Sequence, residues 1–251
     1  MCELFGFNSD LEVTVRFYPL ERKAEKHNSW GVSFFKEGAA VIYKEEKPVY
    51  ESQLARYIGA LGFKTKIAIF HIRHATYGSI SYWNCHPFER ELFGRSWVFA
   101  HTGTVNILYK KEFEPKYYKP IGETDSELAF CYILSEIRRR EARSLEEIAK
   151  VVKEVSDEIG SYGSFNFLMS DSKHLFCYRS EYGGPMYYLE RSAAVSPELE
   201  WSDTDYERID IVGRNVRVAI VSSRRVTNEY WKVIPEKRLL ILGNGREILK
   251  L

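Results

Sequence analysis

The chain has 251 residues, of which 45% are hydrophobic and 15% aromatic, and its 36 basic and 35 acidic side chains nearly cancel. This apolar content suffices for a sizeable core, which excludes a disordered chain. The near-neutral charge, without a basic stripe, argues against a nucleic-acid partner. No run of 18 apolar residues occurs, so no transmembrane helix and no membrane partner are expected.

The predicted elements are mainly short strands. In chain order, strands are expected at residues 30–35, 40–43, 66–73, 97–101, 164–170, 175–179, 186–189, 216–222 and 238–242. Strand 66–73 is apolar on both faces, which is typical of a central strand covered on both sides. Gly243-Asn244-Gly245 predicts a turn into a last short strand. Residues 192–215 show no regular pattern and are expected to form an irregular connection.

Helical periodicity is clearest at residues 124–140 and 145–158, with a weaker helix expected at 52–61. The two stronger helices each begin with a capping-box pattern, Thr124-x-x-Glu127 and Ser144-x-x-Glu147. The basic run at 138–140 lies near a helix end, where it complements the helix dipole. Two adjacent long helices and many strands joined by short connections predict an α+β layered sandwich, and the lack of repeats and linkers favours one domain over residues 1–251.

The four cysteines bear on cellular location and on metals. Cys2, Cys85, Cys131 and Cys177 are scattered and form no C-x-x-C pair. We therefore expect neither a disulfide framework nor a zinc site, and no other cofactor is indicated. A reducing cytoplasm fits this pattern. The N-terminus also lacks a basic region followed by an apolar run, so no signal peptide is expected.

Cys2 supports two interpretations. Early cysteines are often buried as small hydrophobic residues. If Met1 is removed, however, Cys2 carries a thiol and a free α-amine on one residue. A neutral α-amine has a pKa of about 7.7–8.0, close to working pH, so it can act as general base for the thiol. Position alone favours the buried-residue interpretation.

Other segments supply groups for binding an amino acid. Arg73 ends a predicted strand, where its planar guanidinium suits a carboxylate, and a polar turn with Thr76 and Tyr77 follows. Asp125 lies in the first turn of a helix, where an acid interacts favourably with the dipole or binds an ammonium group. Gly103 follows a strand in FAHTGTV, and its amide could face a ligand. Together these groups meet the requirements for handling an α-amino acid whose side chain is an amide.

Five segments in this order resemble the class II glutamine amidotransferases, which are N-terminal-nucleophile (Ntn) hydrolases. They are MCELFGF (1–7), NSWGVSFF (28–35), HIRHATYG (71–78), NCHPFERELFGRSWVFAHTG (84–103) and GETDSELAFCYIL (122–134). The chain is most similar to the stand-alone members that open with Met-Cys-Glu-Leu, and the segment 226–237 is also similar. The resemblance implies a four-layer αββα sandwich and hydrolysis of glutamine to glutamate and ammonia.

The resemblance also implies roles for individual residues. Cys2 would be the nucleophile, with its own α-amine as the base after Met1 is removed. Arg73, assisted by Thr76 and Tyr77, would bind the glutamine carboxylate, and Asp125 would bind the ammonium group. Gly103 would offer its N–H to the oxyanion. Asn84 and His86 belong to an Asn-x-His-Pro segment that shapes the site, whereas His71, His74 and His101 are expected to be structural.

One position departs from the family pattern. The family has His-Asn-Gly where this chain has His101-Thr102-Gly103, and the Asn side chain completes the oxyanion hole. Losing one oxyanion donor costs about 10²–10³ in rate. Either the Thr102 hydroxyl substitutes, another donor or water does, or hydrolysis has been largely lost. The other motif residues are present, which favours retained but slow chemistry.

Three functions remain open at this point. The chain could be a glutaminase that supplies ammonia to a separate acceptor enzyme, since no synthetase domain is evident. It could instead hydrolyse γ-glutamyl bonds in a peptide or thiol metabolite, as some stand-alone relatives are thought to do. The third is a weakly active or inactive subunit that recognises glutamine or a partner protein. All three involve a small-molecule ligand, and the sequence does not indicate an oligomeric state.

Overall fold

The structure is a computed structural model that describes residues 2–19, 27–74, 78–192, 198–200 and 206–251. The helices are α1 (Gln53–Leu61), α2 (Asp125–Arg139) and α3 (Leu145–Gly160). The strands are β1 (Glu3–Pro19), β2 (Ser29–Lys36), β3 (Ala39–Glu45), β4 (Phe63–Arg73), β5 (Phe88–Leu92), β6 (Arg95–Val105), β7 (Gly163–Ser170), β8 (Leu175–Arg179), β9 (Tyr187–Arg191), β10 (Glu198–Glu200), β11 (Tyr206–Val212), β12 (Val218–Ser222), β13 (Lys232–Val233), β14 (Arg238–Gly243) and β15 (Arg246–Lys250).

The strands form two antiparallel sheets. The first sheet has the order β13-β9-β12-β1-β4-β2-β3, with β11 paired to β1 and β10 paired to β11. The second has the order β15-β14-β8-β7-β6-β5. Each strand pair is antiparallel, which agrees with the hairpin-length connections in the sequence.

Three apolar clusters show how the layers are stacked. The cluster between the sheets includes Ile69 of β4 and Leu168 of β7. Phe70 and Ile58 belong to the cluster that joins the outer face of the first sheet to α1. Phe99 belongs to the cluster that joins the second sheet to α2 and α3. The order helix, sheet, sheet, helix confirms the predicted α+β sandwich of the Ntn-hydrolase type.

β4 confirms the prediction of a central strand. It lies between β1 and β2, and its alternate residues belong to different clusters. Ile67 and Ile69 face the second sheet, whereas Ala68, Phe70 and Ile72 face outward toward the helix side. His71 and Arg73 continue the row of Ile67 and Ile69, so the pleat directs both side chains between the sheets.

The expectation for residues 192–215 was wrong in part. Residues 198–200 and 206–212 form β10 and β11, and β11 pairs with residues 14–19 of β1. Ile209 and Ile211 are buried in the outer cluster. The alternation of these apolar residues with polar ones in YERIDIV (206–212) was the sequence signal for this strand. β1 itself was not predicted, because its pairing with β4 shifts register between Asn8 and Val13 and interrupts the period-two pattern.

The predicted helices are confirmed, but the two caps differ. Ser144 and Glu147 form a complete capping box at α3. At α2 the Thr124 side chain accepts a hydrogen bond from the Glu127 N–H at 3.2 Å. The Glu127 carboxylate instead pairs with Arg90 and accepts from the Gly122 N–H at 2.7 Å. Glu127 therefore holds the segment that leads into α2. Among the described helices, none has the length and apolar character required to cross a membrane.

Candidate active site

Cys2 directly precedes β1, at the centre of the first sheet. Its Sγ lies 3.2 Å from the backbone nitrogen of His74 and 3.3 Å from the His74 carbonyl oxygen. These contacts place the thiol at the end of β4, next to Arg73. Burial is the largest influence on the thiol and raises its pKa above the usual value. The thiol therefore needs a base to become a nucleophile at neutral pH.

The second sheet contributes Thr102 and Gly103 from β6. The Thr102 hydroxyl donates to the backbone carbonyl of Cys2 at 3.3 Å, so β6 reaches the thiol-bearing residue directly. Gly103 has φ of +136°, and a Cβ there would lie 2.0 Å from the Ser164 carbonyl oxygen. Both the left-handed φ and this close approach require glycine. The missing side chain also brings the backbone of β6 close to Ser164.

Arg73 lies at the end of β4, between the sheets, and only 4% of its surface is exposed. Its Nη1 donates to the Ser79 carbonyl at 3.4 Å, and a Cβ on Gly78 would lie 3.5 Å from Nη2. Burial lowers the pKa of Arg73, but an arginine remains charged in proteins. Thr76 and Tyr77, the other predicted carboxylate-binding residues, lie outside the described residues.

Asp125 is the first residue of α2 and is 5% exposed. Its Oδ2 accepts a hydrogen bond from the Val105 N–H at 2.8 Å, and its Oδ1 accepts from the Ser126 N–H at 2.9 Å. The carboxylate therefore fixes the start of α2 to the end of β6. Its negative charge raises the pKa of the Cys2 thiol, whereas Arg73 lowers it. The structure thus brings together Cys2, Arg73, Thr102, Gly103 and Asp125.

Asn84 links two loops beside Arg73. Its Nδ2 donates to the Ser79 carbonyl at 3.0 Å, and its Oδ1 accepts from the Glu123 N–H at 2.9 Å. Gly122 packs against this amide so closely that a Cβ there would lie 2.4 Å from Oδ1. Asn84 therefore connects the loop that contacts Arg73 to the loop that leads to Asp125. Asn84 therefore supports the loops beside both Arg73 and Asp125, the two residues expected to bind the amino-acid substrate.

The histidines have different surroundings. The rings of His71 and His86 are 4.2 Å apart. Burial lowers the pKa of His86 well below its usual value and that of His71 to about 3, so both are neutral at working pH. His101 pairs with the Ser126 hydroxyl at 2.8 Å and the Ser164 carbonyl at 3.2 Å, which fits a structural role. Within the described residues, neither ring nitrogen of His86 has a hydrogen-bond partner.

Sequence reasoning did not find several contributors to this site. His74 contacts the thiol through its backbone, and Ser79 contacts Arg73 through its carbonyl, so residue type gave no signal. Gly31 is a third case, because a Cβ there would lie 2.1 Å from the His86 carbonyl oxygen. A glycine within a strand pattern is the signal for such a close backbone approach.

Comparison with known proteins agrees with the Ntn-hydrolase type of the fold. The family model for class-II glutamine amidotransferases matches residues 1–250. The chain is 31% identical to YafJ of Escherichia coli K12, whose name assigns it provisionally to the glutamine amidotransferases; the match covers 97% of this chain and 98% of YafJ. It is 35% identical to the uncharacterised protein MJ1515 of Methanocaldococcus jannaschii, over 99% of this chain and 71% of that protein.

Solved structures are also similar to this chain. A crystal structure of a predicted glutamine amidotransferase from Pseudomonas aeruginosa has a TM-score of 0.79 and 29% identity, covering 99% of this chain and all of that one. Glutamine phosphoribosylpyrophosphate amidotransferase from B. subtilis has a TM-score of 0.64 at 15% identity, and the match covers 98% of this chain and 48% of the other. At that identity only the fold is shared. The family match and the fold together show that the chain belongs to the class-II glutamine amidotransferases.

Proposed function

We propose that this protein hydrolyses the side-chain amide of glutamine to glutamate and ammonia, with Cys2 as the nucleophile. The observation that carries the proposal is the convergence at the thiol of a buried cation, a buried carboxylate and the backbone of β6. Arg73 suits the α-carboxylate of the substrate and Asp125 suits its α-ammonium group. A substrate held at both groups would direct its side chain toward Cys2.

The proposed reaction begins when removal of Met1 frees the α-amine of Cys2. This amine takes the thiol proton, and Sγ attacks the amide carbon of glutamine. The oxygen becomes an oxyanion near the Gly103 N–H. The intermediate collapses as the amine returns the proton to the leaving nitrogen, which departs as ammonia. Water then attacks the thioester with the amine again as base, and this step releases glutamate and restores the thiol.

Thr102 favours slow turnover in this scheme. Its hydroxyl donates to the Cys2 carbonyl at 3.3 Å, and while it makes this bond its single hydrogen does not serve a substrate oxygen. A reaction with one fewer oxyanion donor is expected to be slower by about 10²–10³. This observation also supports the second candidate, a weakly active subunit that binds glutamine. If the protein is a glutaminase, the ammonia would be released or used by a separate acceptor enzyme.

The test combines turnover with the mass of the intact protein. Wild-type protein should release ammonia from glutamine, and a glutamine-mimicking electrophile should add one label to a chain that lacks Met1. Cys2→Ala should abolish both signals. Cys177→Ala is the matched control, since Cys177 is a buried cysteine of the inter-sheet cluster, and it should retain both. Turnover by the Cys2→Ala variant, or full activity with Met1 retained, would refute the mechanism.

A further inference from the structure

A row of three residues crosses the first sheet beside the Asn-x-His-Pro segment, residues 84–87. His71 of β4 pairs with Gly31 of β2, and Gly31 pairs with Lys44 of β3. Directly opposed residues lie on the same face of a sheet. Since His71 faces between the sheets, Gly31 and Lys44 lie on that face too. The row ends at Lys44, because β3 is the last strand in the order of this sheet.

His71 and Gly31 bring the segment directly onto the sheet. The His71 ring lies 4.2 Å from the His86 ring. A Cβ on Gly31 would lie 2.1 Å from the His86 carbonyl oxygen and 2.9 Å from Pro87 Cδ. The backbone of β2 therefore touches the segment without a side chain between them. Lys44, the next residue in the row, lies close enough to bind the backbone of the segment.

Lys44 binds the segment through its ammonium group. Its Nζ donates to the Cys85 carbonyl at 2.9 Å and to the Pro87 carbonyl at 3.3 Å. The ring centroids of Tyr82 and Phe88 lie 5.0 and 5.4 Å from Nζ, within the range of cation–π contacts. Two carbonyl oxygens and two rings thus stabilise this charge. An apolar side chain at the same position would leave both carbonyls without this donor.

The segment is connected to Arg73 through Asn84, which directly precedes Cys85. Asn84 Nδ2 and Arg73 Nη1 both donate to the Ser79 carbonyl, at 3.0 and 3.4 Å. A Cβ on Gly78 would lie 3.3 Å from Asn84 Nδ2 and 3.5 Å from Arg73 Nη2. The two side chains therefore contact the same turn, and the position of Asn84 limits where the guanidinium can lie.

We infer that Lys44 is a positioning residue for the substrate-binding guanidinium: it fixes residues 84–87 to the edge of the first sheet, and Asn84 in turn fixes Arg73. This inference rests on the proposed function, since it presumes that Arg73 binds the α-carboxylate of glutamine. The α-carboxylate carries the same charge in the substrate and in the transition state. Loss of Lys44 should therefore raise KM and leave kcat nearly unchanged.

The first test is steady-state ammonia release by Lys44→Met, which keeps an unbranched side chain and removes the ammonium donors. KM for glutamine should rise about tenfold, because small displacements of a binding group are costly. Lys44→Arg retains a cation with N–H donors and should restore most of the affinity. Lys47→Met is the matched control, since Lys47 is exposed and pairs with Glu45 at 3.0 Å. An unchanged KM for Lys44→Met would overturn the inference.

The second test measures binding by calorimetry in the Cys2→Ala background, where no turnover is needed. Adding Lys44→Met should weaken the binding of glutamine about tenfold and leave that of glutaminamide unchanged, since its α-carboxyl group is a neutral amide. A merely structural role would weaken both ligands equally, and that result would overturn the positioning role. If Lys44→Met does not fold, Lys44→Gln provides the same comparison, because it also lacks the charge.

The two tests also separate this inference from the proposed function. If wild type releases no ammonia but the Cys2→Ala background still shows the difference between glutamine and glutaminamide, the proposed hydrolysis fails and the role of Lys44 stands. If wild type releases ammonia and Lys44→Met has the same KM, the hydrolysis stands and the role of Lys44 fails.

Discussion

Thr102 is the residue that most limits the chemistry proposed for this site. The family pattern has an asparagine here, and the threonine hydroxyl instead donates to the Cys2 carbonyl. A hydroxyl on Cβ reaches less far than a carboxamide and cannot serve the Cys2 carbonyl and a substrate oxygen with the same hydrogen. The lack of this oxyanion donor should therefore slow the chemical step and leave substrate binding unchanged.

Thr102→Asn is expected to raise kcat for glutamine by up to about 10² with little change in KM, since one oxyanion donor contributes about 10²–10³. Steady-state ammonia release measures this. Thr102→Ser is the control, because it retains a hydroxyl and lacks a carboxamide, and it should give no gain. If Thr102→Asn is no faster than wild type, another group already stabilises the oxyanion.

Glu3 makes the stability of the fold depend on pH. It is 6% exposed, and its Oε1 lies 3.2 Å from Arg224. Burial outweighs this ion pair and raises the pKa of Glu3 from 4.5 to about 7. An acid with a higher pKa in the folded state binds more protons when folded. Stability therefore falls as the pH rises from about 4.5 to about 7.

Glu3→Gln should remove this dependence, since the amide does not ionise. We expect wild type to lose up to about 3 kcal/mol relative to Glu3→Gln between pH 4.5 and 7.5, because each pKa unit corresponds to about 1.36 kcal/mol. Urea denaturation of both proteins across this range measures the difference. Glu46→Gln, at an exposed position, should track wild type. Parallel curves for wild type and Glu3→Gln would contradict the assignment.

At the scale of elements, the start of α2 positions Asp125 relative to β6. Thr124 caps the helix through the Glu127 N–H, and Asp125 binds the Val105 N–H at the end of β6. α3 has an equivalent serine cap, Ser144, whose described hydrogen bonds all lie within the first turn of α3. The two caps therefore allow the structural and functional effects of capping to be separated.

Thr124→Ala and Ser144→Ala should each lower the free energy of unfolding by about 1 kcal/mol, the usual cost of losing an N-cap. Only Thr124→Ala should also raise KM for glutamine, because the first turn of α2 carries Asp125. Chemical denaturation and steady-state kinetics measure the two effects. An equal rise in KM for both variants would show that the loss of activity follows from general destabilisation.

The elements also show what the sequence could reveal. The helices and most strands were predictable, because period and capping signals are local. β1 was not predictable, because a register shift interrupts its alternation of apolar and polar residues. β11 was overlooked because it lies within residues 192–215, where the periodic pattern is weak. At the site, residue types made Cys2, Arg73 and Asp125 candidates, but only the family resemblance favoured a functional role for Cys2 and Asp125 over a structural one. Contacts through the backbones of His74 and Ser79 depend on tertiary structure, and Thr102 stood out only through the family resemblance.

At the scale of the whole molecule, the proposed clamp joins the two sheets. Arg73 belongs to β4 of the first sheet, whereas Asp125 is bonded to β6 of the second. Glutamine bound to both groups would add a noncovalent link across the interior of the sandwich. A ligand that binds only the folded state stabilises it by mass action.

The Cys2→Ala variant, which is not expected to turn glutamine over, should gain about 2.7 kcal/mol of stability at a glutamine concentration 100 times Kd. Thermal unfolding with and without glutamine measures the gain. Adding Asp125→Asn should remove most of it, whereas adding Glu154→Gln, on the exposed face of α3, should not. A full gain in the Asp125→Asn background would exclude this carboxylate from the clamp.

The position of β1 also has a consequence for synthesis of the protein. Leu4 binds Ser223 through its N–H, across 219 positions of the chain, and residues 5–9 pair with β12. One edge of β1 is therefore covered only after about 200 further residues of the chain have been synthesised. Such non-local pairing slows folding and leaves an unpaired strand exposed to aggregation. We expect secondary structure to recover before the proposed glutaminase activity on refolding, because Cys2 directly precedes β1 and β1 is in place only when it has paired with β12.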